Sequence, residues 1–355
     1  MVRRTAQRRA RRPRERGAPG GDRRRLSAPV VIDARAAARP ELGGVERWAR
    51  ELSARLPALR PGRYAVARPP AALSHRAGHA WEQGWLPLAA RGAQWLLCPA
   101  NLAPLAARNT AVVIHDAAPL REPGWYSDLY VRWQRFVLPR VARRARLVIT
   151  VSEFSRDELR ELLGVDAAVV PGGVDERFTP AAPRSLPVQR PYVLTVASRT
   201  ARKNLGALEE CARRLRRNGI DLLAVGGDRP QFRDSTASAS AIRSLGHVPD
   251  KHLPGLYAGA LCFVLPSLYE GFGLPCIEAM ACGTPVVAAN AGALPDTCGG
   301  AAILVDPRDP AAIADAIEGA LGDEQLGAAG IARAAAFTWN CTTERVDELL
   351  CGTGG

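Results

Sequence analysis

"SLYEGFGLPCIEAMACGTPVV", residues Ser267 to Val287, places two glutamates, Glu270 and Glu278, with seven residues between them. The apolar run "LCFVLPS" (Leu261–Ser267) before it has the length and content of a buried strand. "LYEGFG" then reads as a turn, and Pro275 suits a first helical position. Gly271 and Gly273 permit positive φ or close approach of backbone to a ligand. A strand, a turn and a helix in this order leave the amides of Phe272, Gly273 and Leu274 at the positive end of the helix. That geometry suits a phosphate or a polyhydroxyl group. Glu278, one turn further on, has two acceptor oxygens, enough for both hydroxyls of a vicinal diol such as a ribose. Read alone, Glu278 serves equally well as a first-turn glutamate that complements the helix dipole.

Outward from this stretch, short apolar runs alternate with helical spacing along the chain. "APVVIDAR" (Ala28–Arg35), "YAVA" (Tyr64–Ala67), "WLLC" (Trp95–Cys98), "AVVIH" (Ala111–His115), "LVITV" (Leu147–Val151) and "AAVV" (Ala167–Val170) read as strands of one sheet. The proline-rich "TPAAPRSLPVQRP" (Thr179–Pro191) reads as a linker. The alternation restarts at "YVLTVA" (Tyr192–Ala197), with a helix expected over Asn204–Arg217. This pattern predicts an α/β protein of two Rossmann-like, doubly wound domains facing each other across a cleft. The expected division is an Arg-rich tail over 1–27, a first domain over 28–180 and a second over 181–338. A terminal helix over 339–355 is expected to pack back on the first domain.

The 355 residues carry a formal net charge of +13, and 47% are hydrophobic. Eleven arginines against two acids give residues 1–25 a charge of +9, leaving +4 for the rest. The basicity therefore belongs to the tail, which has no apolar periodicity and reads as a solvated arm. No specific nucleic-acid site is expected in the body. No apolar stretch is long enough to span a bilayer, and the scattered cysteines make the expected location cytoplasmic. The eight cysteines are scattered without CxxC pairs, which reads as reduced core thiols. Lysine occurs only at 203 and 251. The segment Tyr130–Val148 carries Arg132, Arg135, Arg140, Arg143, Arg144 and Arg146 around apolar residues at helical spacing. Such a helix either lies on an anionic membrane surface or is a core helix with a solvated basic face.

"PSLYEGFGLPCIEAMACGTPVVAANAGALPD" (Pro266–Asp296), continued in "GGAAILVDPRDPAAIADAI" (Gly299–Ile317), resembles the signature of retaining GT-B glycosyltransferases. The match is to family 4-like, mannosyltransferase-like members with the E-x7-E motif. The resemblance implies that Glu278 holds the nucleotide ribose. It places Glu270 near the donor sugar, with Gly271, Phe272, Gly273 and Leu274 binding donor through the loop. In "VASRTARKNL" (Val196–Leu205), Arg202 and Lys203 match the residues that reach the diphosphate. His115 in "VVIHDAAPL" matches a position beside the reacting sugar. Gly43 and Gly44 match the glycine loop that closes over donor or acceptor. Relatives often carry Glu at the position of Asp296 and Gly at that of Ala197.

The implied activity is transfer of a hexose, mannose favoured, from a nucleotide diphosphate sugar to a hydroxyl of a glycan, lipid-linked or small-molecule acceptor. GDP-mannose is the favoured donor, and the anomeric configuration is kept. No metal and no further cofactor are expected, since Arg202 and Lys203 would compensate the leaving diphosphate. Contact of the basic helix with the inner face of a membrane stands beside the reading of a solvated basic face. The alternatives are a phosphorylase or nucleotide-sugar epimerase on the same fold, or a nucleic-acid binder driven by the tail.

Overall fold

The computed structural model describes residues 29–39, 43–70, 78–184, 188, 190–227 and 241–352. The Arg-rich tail and residues 353–355 lie outside them, as do parts of the linker. Two six-stranded sheets, parallel throughout, form two lobes. The first contains β1 (Val30–Asp33), β2 (Tyr64–Ala67), β3 (Trp95–Cys98), β4 (Thr110–Val113), β5 (Leu147–Thr150) and β6 (Ala168–Val169), in the order β2-β1-β3-β4-β5-β6. The second contains β7 (Tyr192–Val196), β8 (Asp221–Val225), β9 (Arg243–Gly246), β10 (Cys262–Leu265), β11 (Val286–Ala289) and β12 (Ile303–Val305), in the order β12-β11-β10-β7-β8-β9. Each sheet changes direction of winding once, between β1 and β3 and between β7 and β10. Ligands of such sheets bind beyond the carboxyl ends of the strands at those points.

Strand alternation sorts the side chains into three main apolar clusters. In β1, Val30 and Ile32 join a central cluster while Val31 faces an outer one. In β10, Phe263 and Leu265 join the same central cluster, while Cys262 and Val264 face the outer cluster of the second lobe. The central cluster is thus shared by both lobes, and Trp48, Phe272 and Trp339 belong to it. Burial on both faces explains why these strands read as unbroken apolar runs.

The terminal helix, Trp339–Gly352, leaves the second lobe and packs on the first-lobe helix Gly44–Leu59. Trp339 meets Trp48 edge to face at 5.7 Å. Asp347 accepts hydrogen bonds from Arg60 at 3.0 Å and from Tyr64 at 2.6 Å. Gly172 and Gly173 are not among the residues that line the cleft, and both pack against buried neighbours. A Cβ on Gly172 would touch Trp48 and Leu274, and one on Gly173 would lie 2.2 Å from the Trp339 amide nitrogen.

The helix expected over Asn204–Arg217 is α-helical only over Glu209–Arg217 and is preceded by two short 3-10 turns. Asn204 sits between those turns at φ 53°, a left-handed conformation that Asn tolerates. Its side-chain amide donates to the carbonyls of Pro266 at 3.2 Å and Pro307 at 2.6 Å. Those long-range bonds hold the loop out of the helix. Because the atoms facing Gly173 are backbone, a Gly173→Ala substitution is expected to displace the terminal helix at a cost of about 1–3 kcal/mol. Urea denaturation of the two proteins measures it.

Candidate active site

One cavity of about 570 Å³ lies between the lobes, lined from both. The loop after β1 brings Gly43 and Gly44, that after β4 brings His115, that after β7 brings Arg202 and Lys203, and that after β10 brings Glu270 to Leu274. Glu278 enters from the helix Leu274–Ala281. The eleven residues singled out from the sequence therefore meet in one place. Lys203 and Glu270 come from β7 and β10, the two strands that flank the change in winding of the second sheet.

The two loop glycines are needed for different reasons. Gly273 caps the helix at φ +101°, which puts Leu274 rather than Pro275 at its first position. Gly271 has no unusual φ, but a Cβ there would stand 2.3 Å from the His115 carbonyl oxygen. Backbone from the two lobes touches at this point. Ser152 donates to the Gly271 carbonyl at 2.5 Å, and the Ser155 hydroxyl lies 3.1 Å from both the Gly271 and His115 carbonyls. The amides of Phe272, Gly273 and Leu274 have no partner among the described residues. Gly43 behaves otherwise: its amide donates to the Glu46 carboxylate at 3.0 Å and its carbonyl accepts from the Arg47 amide. Both groups serve the helix start, so Gly43 lines the cavity without an amide to offer a phosphate.

Lys203 is ion-paired with Glu270, and both are buried. Burial opposes ionisation of Glu270, but Lys203 and Arg202 together outweigh it and hold the carboxyl below its ordinary range. Burial pushes the Lys203 ammonium down although Glu270 lies against it, and the neighbouring Arg202 adds to that. Arg202 stands 3.4 Å from Asp116, and its Nε is buried without a partner. Two cations, one with an unsatisfied donor, thus converge beside a loop of free amides. Such a site suits an anion with several oxygens.

His115 Nε2 lies 2.9 Å from the Pro99 carbonyl. Since a carbonyl only accepts, Nε2 carries the proton and Nδ1 is left as an acceptor. The ring stands edge-on to Trp48 at 5.5 Å. Burial lowers its pKa from the ordinary 6.5, so the ring is neutral at pH 7.

Glu278 is buried, and burial raises its pKa against the pull of Arg47. Arg47 Nη1 lies 2.8 Å from Glu278 Oε1, and Tyr257 donates to Oε2 at 3.0 Å. Arg47 also reaches Asp250 at 2.6 Å, and Arg177 pairs with the other oxygen of Asp250. Arg47, Tyr257 and Asp250 were not legible in the sequence. Nothing local separates Arg47 from the other arginines, and Asp250 is 203 residues away from it.

Two parallel α/β lobes with a cleft between them are the arrangement of the GT-B fold. The family model described as "Glycosyl transferases group 1" matches residues 190–323, and that of "Glycosyltransferase Family 4" matches residues 79–178. The O-antigen chain mannosyltransferase B of Escherichia coli is 33% identical over 264 residues, 67% of this chain and 69% of that one. A GDP-mannose-dependent alpha-(1-6)-phosphatidylinositol monomannoside mannosyltransferase of Mycolicibacterium smegmatis is 32% identical over 284 residues, 71% of this chain and 74% of its own. Among solved structures, sucrose-phosphate synthase from Thermosynechococcus elongatus superposes with a TM-score of 0.73 at 21% identity, covering 92% and 98% of the two chains, which bears on fold alone. The chain belongs to glycosyltransferase family 4 and is a glycosyltransferase of the mannosyltransferase type.

The buried neutral His115 has a pH signature. As pH falls below 6.5 the unfolded chain takes up a proton that the folded chain refuses, so stability drops until the lower folded pKa is reached. Substituting His115→Asn removes that component. The destabilisation caused by the substitution is expected to be smaller at pH 5.5 than at pH 7.5, measured by urea denaturation at both.

Proposed function

We propose that the protein transfers a hexose, with mannose favoured, from a nucleotide diphosphate sugar to an acceptor hydroxyl with retention of configuration. The observation that carries this is the meeting of Arg202, Lys203, Glu270 and three unpartnered amides at the change in winding of the second sheet, with Glu278 one helical turn away. In this reading the amides of Phe272, Gly273 and Leu274, with Arg202 and Lys203, hold the diphosphate, and Glu278 takes the ribose diol. The bond from the anomeric carbon to the phosphate oxygen breaks as the bond to the acceptor oxygen forms on the same face. The acceptor proton passes to the departing phosphate oxygen. The carboxylates at the cleft are already engaged, Glu270 by Lys203 and Glu278 by Arg47 and Tyr257, which favours the phosphate oxygen as the base. Charge on the leaving group is met by Arg202, Lys203 and the amides rather than by a metal. His115, neutral with Nδ1 as acceptor, receives a hydrogen bond from a sugar hydroxyl. GDP-mannose is the proposed donor, supported by the GDP-mannose dependence of the Mycolicibacterium smegmatis relative.

The acceptor is proposed to be a glycan carried on a lipid at an anionic membrane. The support is the helix Asp128–Arg144. Val131, Gln134, Val137, Leu138 and Val141 on one side are buried, and Tyr130, Gln134 and Leu138 line the cavity. On the other side Leu129, Trp133 and Phe136 are 73%, 42% and 50% exposed and fall on one stripe. Arg132, Arg135, Arg140, Arg143 and Arg144 are exposed around that stripe, with Asp128 at its start. An apolar stripe flanked by cations fits the headgroup boundary of an anionic bilayer. No helix among the described residues is long and apolar enough to cross one.

Incubation with a panel of nucleotide sugars is expected to show turnover with GDP-mannose. Lys203→Ala is expected to lower kcat by about 10²–10³, and Glu278→Ala to weaken GDP binding about tenfold. An unchanged Kd for GDP in Glu278→Ala would remove the ribose role. In sedimentation with vesicles, the protein is expected to bind phosphatidylglycerol-containing membranes and not neutral ones. Trp133→Ser with Phe136→Ser is expected to abolish that binding while a deletion of residues 1–27 retains it; the reverse pattern assigns the binding to the tail.

A further inference from the structure

Arg47 is the fourth residue of the first-lobe helix Gly44–Leu59, and its side chain is almost wholly buried in the cleft. Its two partners, Glu278 and Asp250, both belong to the second lobe. Nη1 takes Glu278 Oε1 at 2.8 Å and Nη2 takes Asp250 Oδ1 at 2.6 Å. The guanidinium therefore uses both prongs of its fork to tie the lobes together, and it lies near the ring of Phe178. All three charged residues line the cavity. The oxygen of Glu278 not held by Arg47 is held by Tyr257, so no carboxylate oxygen of Glu278 is without a donor.

A ribose diol needs what Arg47 now occupies. Arg47 donates one N–H to Glu278 Oε1, the acceptor that one hydroxyl of a diol would take, while Oε2 beside Tyr257 keeps a second lone pair for the other. We propose that Arg47 is an internal substitute for the donor's ribose, and that donor binding exchanges the Arg47–Glu278 bridge between the lobes for the ribose–Glu278 contact. This inference rests on the ribose role of Glu278. In the donor-free protein the bridge keeps a buried carboxylate paired and the lobes joined. On binding, Arg47 keeps Asp250 and gives up Glu278, so the free energy of the bridge is subtracted from donor affinity. The exchange also makes the relation between the lobes depend on whether the nucleotide is present.

The consequence is a substitution that tightens binding. Removing Arg47 leaves Glu278 buried without its cation, a costly state that a ribose diol relieves. In the full-length protein, Arg47→Met, which retains an apolar stem over Phe178, is expected to lower the Kd for GDP about tenfold by calorimetry, within the usual range of coupling between sites. Arg47→Lys keeps a buried cation without the fork and is expected to shift Kd in the same direction by less, which gives a second reading should the Met variant fold poorly. With Glu278→Ala already in place, Arg47→Met is expected to leave the Kd within about twofold, because there is no bridge left to exchange. Weaker or unchanged GDP binding by both Arg47 variants overturns the exchange. An unchanged Kd in Glu278→Ala alone overturns the ribose role beneath it, so the two failures are told apart.

Discussion

The contact between the Gly271 peptide and the His115 carbonyl sets the geometry of the whole cleft. Here backbone of one lobe meets backbone of the other with no room for a methyl group between them. Ser152 and Ser155 of the first lobe fix it from one side, and Ala293 of the second lobe bonds the Glu270 carbonyl at 3.0 Å from the other. Because the loop is held there, its free amides face the cavity and Glu270 is brought against Lys203. The apolar cluster shared by the two inner sheet faces supplies the area that makes this closeness stable. The terminal helix adds to it by returning Trp339 to Trp48. Hinge freedom between the lobes is therefore limited by specific bonds, and those bonds sit beside Glu270.

The cleft holds more buried charge than packing alone would select. Arg47, Lys203, Glu270 and Glu278 are each less than one-tenth exposed. Buried ion pairs seldom add stability compared with apolar residues of the same size. Here the arrangement is graded along the cavity. At one end two cations face a carboxylate they keep ionised, and a partnerless Arg202 nitrogen remains. At the other end one cation is shared by two carboxylates. An elongated ligand with an anionic middle and a hydroxylated end matches that gradient from one end to the other. A nucleoside diphosphate has this shape, whatever sugar it carries.

Much of this was readable from residue order, and the reason is locality. The strand, the glycine turn and the first helical turn around Glu270 and Glu278 lie within one stretch, so turn chemistry and spacing specify them together. Alternating apolar runs gave both sheets, with strand ends off by one or two residues, as at Ala28–Arg35 against Val30–Asp33. What could not be read was set by distant partners. Asn204 leaves the expected helix because two carbonyls, 62 and 103 residues away, hold its side chain. Arg47 differs from the other arginines only in which carboxylates the fold brings to it. In the helix Asp128–Arg144, Trp133, Phe136, Val137 and Val141 all fall at helical spacing, and only the packed structure separates the buried Val137 and Val141 from the exposed Trp133 and Phe136.

That helix joins two requirements that a sequence cannot show as one. Tyr130, Gln134 and Leu138 reach the cavity from the same element whose opposite side presents Leu129, Trp133 and Phe136 to solvent. The width of a single helix, about 10 Å, therefore separates the cleft wall from the exposed stripe. If the stripe lies in a headgroup layer, a sugar chain anchored in that layer has only this distance to cover to bring its terminal hydroxyl to the donor. A soluble acceptor would need no such stripe, and the exposure of a tryptophan and a phenylalanine would then be a solubility cost without return. On the membrane-bound reading proposed above, the two faces of one helix tie the nature of the acceptor to the position of the enzyme.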